Sequence, residues 1–174
     1  MNYFFLFLSF LFVLSSNLRS EEPPEEEALV IAINDRGKTI NLNVRRLKRE
    51  NASPVILSHA VCLSNVAMKA IASDLWKNGF DVWSPNMRGH GCGNERSEVV
   101  DAKPGDYSFE EIVAVDWPFL LQYVKQETQK KVHVIGYSMG GMTWRQVLGG
   151  VYREKGTLKR STKKAQDLSE DVAS

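Results

Sequence analysis

Three short apolar runs set the tightest limit on the fold: "PVILSHA" from Pro54, "FDVWSPN" from Phe80 and "KVHVIGY" from Lys131. Each is too short for a helix. The first is an unbroken, β-branched run, the pattern of a strand buried on both faces, and the third reads the same way. Helical patterns follow them. Val66 to Asn78, "VAMKAIASDLWKN", places Val66, Ala70, Leu75 and Trp76 near helical spacing, and Gly79 supplies the stop. Ser108-Phe109-Glu110-Glu111 has the S-x-x-E spacing of a capping box. The helix it opens meets Pro118 and is expected to restart at Asp116, running to about Gln126, since proline suits a first helical turn. Met139 to Val151 is the third helix. Strand, helix, strand, helix, strand, helix in succession predicts an α/β fold, with a mostly parallel sheet flanked by helices.

Two further strands precede these. Ala28 to Ile33 ("ALVIAI") and Thr39 to Leu47 ("TINLNVRRL") bracket "NDRGK", which predicts an N-terminal β-hairpin. Beyond the last helix the pattern stops. Residues 153–174 hold no apolar run able to form another buried strand and read as a polar, disordered tail. A weakly amphipathic helix on Leu158, Ala165, Leu168 and Val172 is the alternative there. The expected organisation is therefore a signal peptide at 1–20, an acidic linker at 21–27, a partial domain at 28–152 and the tail.

At the N-terminus, Phe4 to Leu14 is a solid apolar run broken only by Ser9, followed by Ser15, Ser16, Arg19, Ser20 and the acidic stretch "EEPPEEE". The run has the length of a signal-peptide core and is short for a membrane span. It predicts export, with cleavage after Ser16 or Ser20; an uncleaved anchor is the alternative. Two cysteines, Cys62 and Cys92, permit one disulfide in an exported chain, or stand as two thiols. Asn51-Ala52-Ser53 matches a glycosylation sequon. The formal net charge of +1 and the lack of a polybasic block argue against nucleic acid as a partner.

The chemistry concentrates in "VHVIGYSMGGM", Val132 to Met142, where Gly136-Tyr137-Ser138-Met139-Gly140 spells G-x-S-x-G between a buried strand and a helix. Gly136 and Gly140 remove side chains that would clash across a tight turn, leaving Ser138 to project its hydroxyl from a strained backbone. The helix beginning near Met139 aims free N–H groups at the place where negative charge would develop. Ser138 is the candidate nucleophile.

With "ILSHAVCLSN" at the end of an earlier strand, the chain resembles the α/β-hydrolase family, in particular its lipase-like and esterase-like members. "NGFDVWSPNMRGHG" and "DYSFEEIVAVDWPFLLQYV" resemble the corresponding stretches of acid lipases, and "RGHG" with "GYSMGG" looks like monoglyceride lipases. The resemblance runs from Pro54 to Tyr152 in the family's order and spacing. It implies hydrolysis of a carboxylic ester, with ester or lipid-like substrates, through a Ser138 acyl-enzyme and without cofactor or metal. It also implies that His59 is the motif histidine, and that the N–H groups of Val61 and Met139 form the oxyanion hole. Ala60 stands where the family usually has glycine, so that geometry requires negative φ at Ala60.

The remaining candidates read as structural. His59 is expected under the oxyanion turn, His90 in loop packing and His133 inside its strand, with Arg88 tying its loop to a carboxylate. Asp106 and Asp116 precede the serine, whereas the family's order is serine, acid, histidine. The three histidines are His59, His90 and His133, and none follows Ser138. The expectation is thus the N-terminal half of an α/β hydrolase, with a nucleophile and oxyanion donors but no base. A non-catalytic exported module binding an apolar ligand or a partner chain is the alternative. The strand Val132 to Tyr137 would lack a neighbour on its far side. Poor solubility or edge-to-edge association is then expected, unless the tail or another chain covers that edge.

Overall fold

The computed structural model describes residues 21–103 and 107–173. The expected signal peptide and Asp106 lie outside the described residues.

Strands β1 (Glu27–Asp35) and β2 (Lys38–Leu47) form the expected hairpin, with Asp35 paired to Lys38. The two residues between them, Arg36 and Gly37, have φ of 50° and 78°. Both values are positive, as in the tight hairpin turns whose twist matches that of the strands. The burial alternates cleanly: Ile31 and Ile33 on β1, and Ile40, Leu42 and Val44 on β2, all point to the core.

Strands β3 (Ser53–Ser58), β4 (Phe80–Pro85), the two-residue β5 (Glu98–Val99) and β6 (His133–Gly136) complete the sheet. Its order is β1-β2-β4-β3-β6, with β5 pairing β2. The sheet is mixed. β4, β3 and β6 run parallel, and the hairpin joins antiparallel through β2 and β4. Val55, Ile56 and Leu57 of β3 are each fully buried, so this strand is covered on both faces, as its unbroken apolar run predicts.

Helix α1 (Lys69–Lys77), entered through a 3-10 turn at Asn65–Met68, covers one face. Of the expected stripe, Trp76 is buried and Leu75 packs beside it, but Met68 and Ala72 supply the rest of the inward face, while Ala70 is exposed and Val66 is 49% exposed. Spacing of four places Met68, Ala72 and Trp76 on one face, and Trp76 packs with Val55, Leu57 and Val82. On the other face lie α2 (Trp117–Thr128) and α3 (Met139–Leu148), where Trp117, Leu120, Leu121, Val124, Trp144 and Val147 join the hairpin core.

The capping box at Ser108 forms in both directions: Ser108 N–H donates to Glu111 Oε2 at 2.9 Å, and Glu111 N–H donates to Ser108 Oγ at 3.3 Å. The break expected at Pro118 is absent. One helical turn at Phe109–Glu111 continues through a π-helical turn, Ile112–Asp116, into α2. Proline has no N–H to give to the preceding turn, and a wider turn just before it accommodates that loss without ending the helix.

Residues 153–173 differ from the expected polar tail. Helix α3 stops at Gly149-Gly150, short of Val151, and the chain forms a hairpin of β7 (Val151–Glu154) and β8 (Thr157–Arg160), followed by α4 (Thr162–Asp171). Its sequence is polar because most of this unit faces water, and a few contacts anchor it. Arg153 grips Asp35 with both distances 2.6 Å, Gln122 donates to Asp171 at 2.6 Å, and Lys125 pairs with Asp171. The chain then lies beside the start of β6. Val132 N–H donates to the Asp171 carbonyl at 3.0 Å, and Ala173 N–H donates to the Val132 carbonyl at 3.1 Å, in a parallel bridge of Val132 with Val172. The edge expected to be bare is therefore covered at its first residue. The acidic stretch is also engaged: Glu26 pairs with Arg45, Glu21 with Arg49 and Glu22 with Lys77. No helix among the described residues is long and apolar enough to cross a membrane.

Candidate active site

Parallel pairing of β3 with β6 brings Ser58 opposite Gly136. The segments that leave these two strands therefore emerge together at the carboxyl edge of the sheet: His59 to Leu63 from β3, and the turn at Ser138 from β6.

Ser138 joins β6 to α3 with φ 51° and ψ −113°. A serine with positive φ is strained by order 1–3 kcal/mol, and such strain persists only where the surroundings over-determine it. Three glycines do so here. A Cβ on Gly136 would lie 2.3 Å from Gly141 N, and one on Gly140 would lie 2.7 Å from the Ser58 carbonyl oxygen and 2.8 Å from that of His59. A Cβ on Gly141 would lie 2.8 Å from the Gly136 carbonyl oxygen. Those atoms are backbone and cannot move aside cheaply, so α3 packs against the ends of β6, at Gly136 and Gly141, and of β3, at Gly140, only because these positions lack side chains. Backbone bonds then close the turn: Tyr137 N–H to the Ser58 carbonyl at 2.9 Å, Gly140 N–H to Tyr137 at 3.0 Å and Met142 N–H to Ser138 at 3.0 Å. The Ser138 residue itself is exposed.

Met139 is the first residue of α3, so its N–H has no intrahelical partner. Val61 is exposed and lies in a turn closed by Leu63 N–H on the Ala60 carbonyl at 3.2 Å. The positive φ of this turn is at Cys62, 61°, while Ala60 is absent from the positive-φ residues. Alanine at position 60 therefore meets the condition set by its Cβ, and the strain falls two residues later.

His59 is fully buried beneath this turn. Its Nε2 accepts from Met87 N–H at 3.0 Å, so the ring proton sits on Nδ1, which donates to the Ala60 carbonyl at 2.7 Å. Burial pushes its pKa down to about 4 despite the Ala60 hydrogen bond. A neutral ring with both nitrogens committed acts as a strut between the loops after β3 and β4. Because the unfolded ring titrates near 6.5, its stabilisation is complete above that pH and is lost as pH falls toward 4. Urea unfolding is expected to show about 2 kcal/mol lost from this source between pH 7.5 and 5, and a His59→Gln variant is expected to lack that component. An unchanged pH slope in the variant would refute the assignment.

The loop after β4 is pinned by Arg88, which donates from Nε to Asp116 Oδ2 at 3.0 Å and from an Nη to Oδ1 at 2.5 Å. Arg88 is 2% exposed and Asp116 0%. Burial works against the Arg88 charge, but Asp116, with Glu111 and Asp35 adding to it, outweighs burial and holds the guanidinium above its ordinary value. Burial likewise pushes Asp116 up to about 6 against the pull of Arg88. Both groups remain charged at neutral pH. His90 sits beyond this pair, half-buried, with Nδ1 3.1 Å from the Arg88 carbonyl and its ring 5.2 Å from that of His59. His133 packs edge-on to Phe80 at 5.3 Å, inside its strand as expected.

Trp144 packs beneath the elbow, as its apolar character predicts, and three residues that support it, Ser58, Trp117 and Thr143, escaped the sequence reading. Ser58 accepts from Trp144 Nε1 at 2.8 Å, Trp117 Nε1 donates to Thr143 Oγ1 at 2.8 Å, and the two indoles stack 5.3 Å apart. This cluster fixes α3 against β3 and α2. Its only signal was the pair of tryptophans near the motif. Cys62 and Cys92 are exposed free thiols.

A family model described as alpha/beta hydrolase fold matches residues 53–149. Mouse lipase member M is 30% identical over 131 residues, covering 68% of this chain and 30% of that protein. Bovine gastric triacylglycerol lipase is 31% identical over 81 residues, covering 45% of this chain and 20% of the relative. The chain thus spans less than a third of the length of these relatives. Among solved structures, an esterase of Pyrococcus furiosus superposes with a TM-score of 0.56 at 23% identity, covering 71% of this chain and 47% of that one. Potato epoxide hydrolase I gives 0.57 at 18%, covering 72% and 36%. Those structures share the fold, the lipases resemble the chain in sequence over the stretches matched, and the chain belongs to the α/β-hydrolase family, with its resemblance on the lipase and esterase side.

Proposed function

We propose that this chain carries the nucleophile half of a serine hydrolase of carboxylic esters, with Ser138 as the attacking group and the N–H groups of Val61 and Met139 as oxyanion donors. The observation that supports this most is the positive φ of Ser138, held by Gly136, Gly140 and Gly141. A strained serine between a parallel strand and a helix N-terminus has a functional rationale and costs stability otherwise. Lipid-like esters are the substrate class, from the lipase relatives. Export through the N-terminal apolar run belongs to the same reading.

A second reading, a non-catalytic module binding an apolar ligand, draws on a cleft of about 400 Å³ lined by Phe109, Val113, Val151 and Leu158 among others. One experiment separates them. The purified chain is incubated with a short activated ester and imidazole as a diffusible base, and its intact mass is followed. An acyl adduct mapping to Ser138, and missing from Ser138→Ala, is expected. No adduct on Ser138, or equal labelling of the variant, would overturn the nucleophile assignment.

A further inference from the structure

We infer that Asn51 is an N-glycosylation site. Asn51-Ala52-Ser53 is the only Asn-x-Ser/Thr triplet in the sequence, and its middle residue is not proline, so the triplet can act as an acceptor. It lies in the short connection from β2 to β3. Asn51 and Ser53 are both exposed. Asn51 has φ 57°, in the left-handed region that asparagine tolerates better than other side chains. Its backbone carbonyl accepts from Lys130 Nζ. The turn is thus held through the main chain, and the carboxamide is left facing solvent.

Two features of the surroundings fit a sugar. Asn51 and Ala52 border a cleft of about 290 Å³ whose other walls are polar: Arg46, Arg49, Glu50, Glu127 and Lys130, among others. Such walls are mostly polar and offer donors and acceptors to hydroxyl groups. The position is also remote from the candidate active site. Asn51 precedes the first residue of β3, whereas His59 and the Ser138 turn lie at that strand's far end. Six residues at about 3.3 Å each separate the two edges by about 20 Å. A glycan there leaves access to Ser138 open.

The modification joins the Asn51 carboxamide nitrogen to the anomeric carbon of a lipid-pyrophosphate-linked oligosaccharide. One amide proton is lost, the sugar–phosphate bond breaks and the lipid pyrophosphate leaves. The inference rests on the export reading, because that donor is met only on the secretory route. The test separates the two. The chain is expressed in a secretory eukaryotic host with its own N-terminus, and in parallel with a known signal peptide replacing residues 1–20. Medium and cell-associated protein are both analysed. With the known signal, a discrete increase in apparent mass is expected that peptide N-glycosidase removes, leaving aspartate at position 51 by peptide mass spectrometry. Asn51→Asp, which keeps the shape and the tolerance of positive φ, and Ser53→Ala are expected to abolish the shift, and Ser53→Thr to retain it. No glycosidase-sensitive form in either fraction, or one that survives in Asn51→Asp, overturns the site. A shift with the known signal but not with the native N-terminus would overturn export and leave the site standing.

Discussion

A polypeptide of these 174 residues is expected to turn over a short activated ester no faster than its Ser138→Ala variant when no base is added. A serine hydroxyl attacks a carbonyl efficiently only as a neighbouring base takes its proton. Ser138 has the backbone of a nucleophile, but His59 is spent: Nε2 accepts from Met87, Nδ1 donates to Ala60, and burial holds the ring neutral with a pKa of about 4. His133 lies within β6 against Phe80. His90 is tied to the Arg88 carbonyl. In the worked serine-protease series, loss of the triad costs about a million-fold in turnover, with roughly a thousand-fold over water surviving through the oxyanion hole and binding. Initial rates of p-nitrophenyl ester hydrolysis decide the matter. Turnover well above the variant would sink the expectation, and its loss in His90→Ala would identify the base.

The largest stability effect is expected at Asp116. Replacing it by alanine leaves the Arg88 guanidinium buried without its bidentate partner, with only the longer contact to Glu111 at 3.5 Å and the more distant charge of Asp35 opposite it. Breaking a buried pair from one side costs about 3–5 kcal/mol, because the orphaned charge keeps its desolvation penalty. Replacing both partners by apolar residues of similar volume is often neutral. Asp116→Ala should therefore lower the urea midpoint far more than Arg88→Met combined with Asp116→Leu. Equal losses in the single and double variants would mean that packing, not charge, sets the cost. The pair also joins the loop bearing His90 to the π-helical turn before α2, so the single variant should loosen the support of His59 as well.

"PVILS" and "FDVWSP" were legible as β3 and β4 because strands covered on both faces read as short, nearly continuous apolar runs. "HVIG" does appear as β6, but it is not the buried strand expected, since Val134 is half-buried and Ile135 is 39% exposed where little covers that side of the sheet. The Ser138 turn was legible because glycines two residues either side of a serine meet a steric need that the structure displays at Gly136 and Gly140. What stayed hidden depends on partners far away in sequence. Residues 153–173 looked like a tail because their order comes from a few anchors, Arg153 on Asp35 and Asp171 on Lys125 and Gln122, more than 40 residues distant in each case. Helix α1 was placed correctly and its end at Leu75 and Trp76 was read the right way, but its start was not: Val66 sits in the 3-10 turn before it, where the helical period does not apply. The π-helical turn at Ile112–Asp116 had no local signal beyond the proline that follows it.

The parallel bridge at Val132 has a consequence for exchange of backbone hydrogens with solvent. Tyr137 turns its N–H toward β3, onto Ser58, while Val132 turns both its groups toward Asp171 and Ala173. Alternation along a strand then directs the N–H of Val134 outward on the same side as Val132, beyond the last residue of the bridge. Two amides two residues apart on one strand should therefore behave as different classes. Val132 is shielded until the C-terminal segment detaches, whereas Val134 N–H, with no partner across that edge among the described residues, is expected to exchange faster. The protection of Val132 measures how firmly residues 171–173 hold, and it should fall to that of Val134 when Asp171 is replaced.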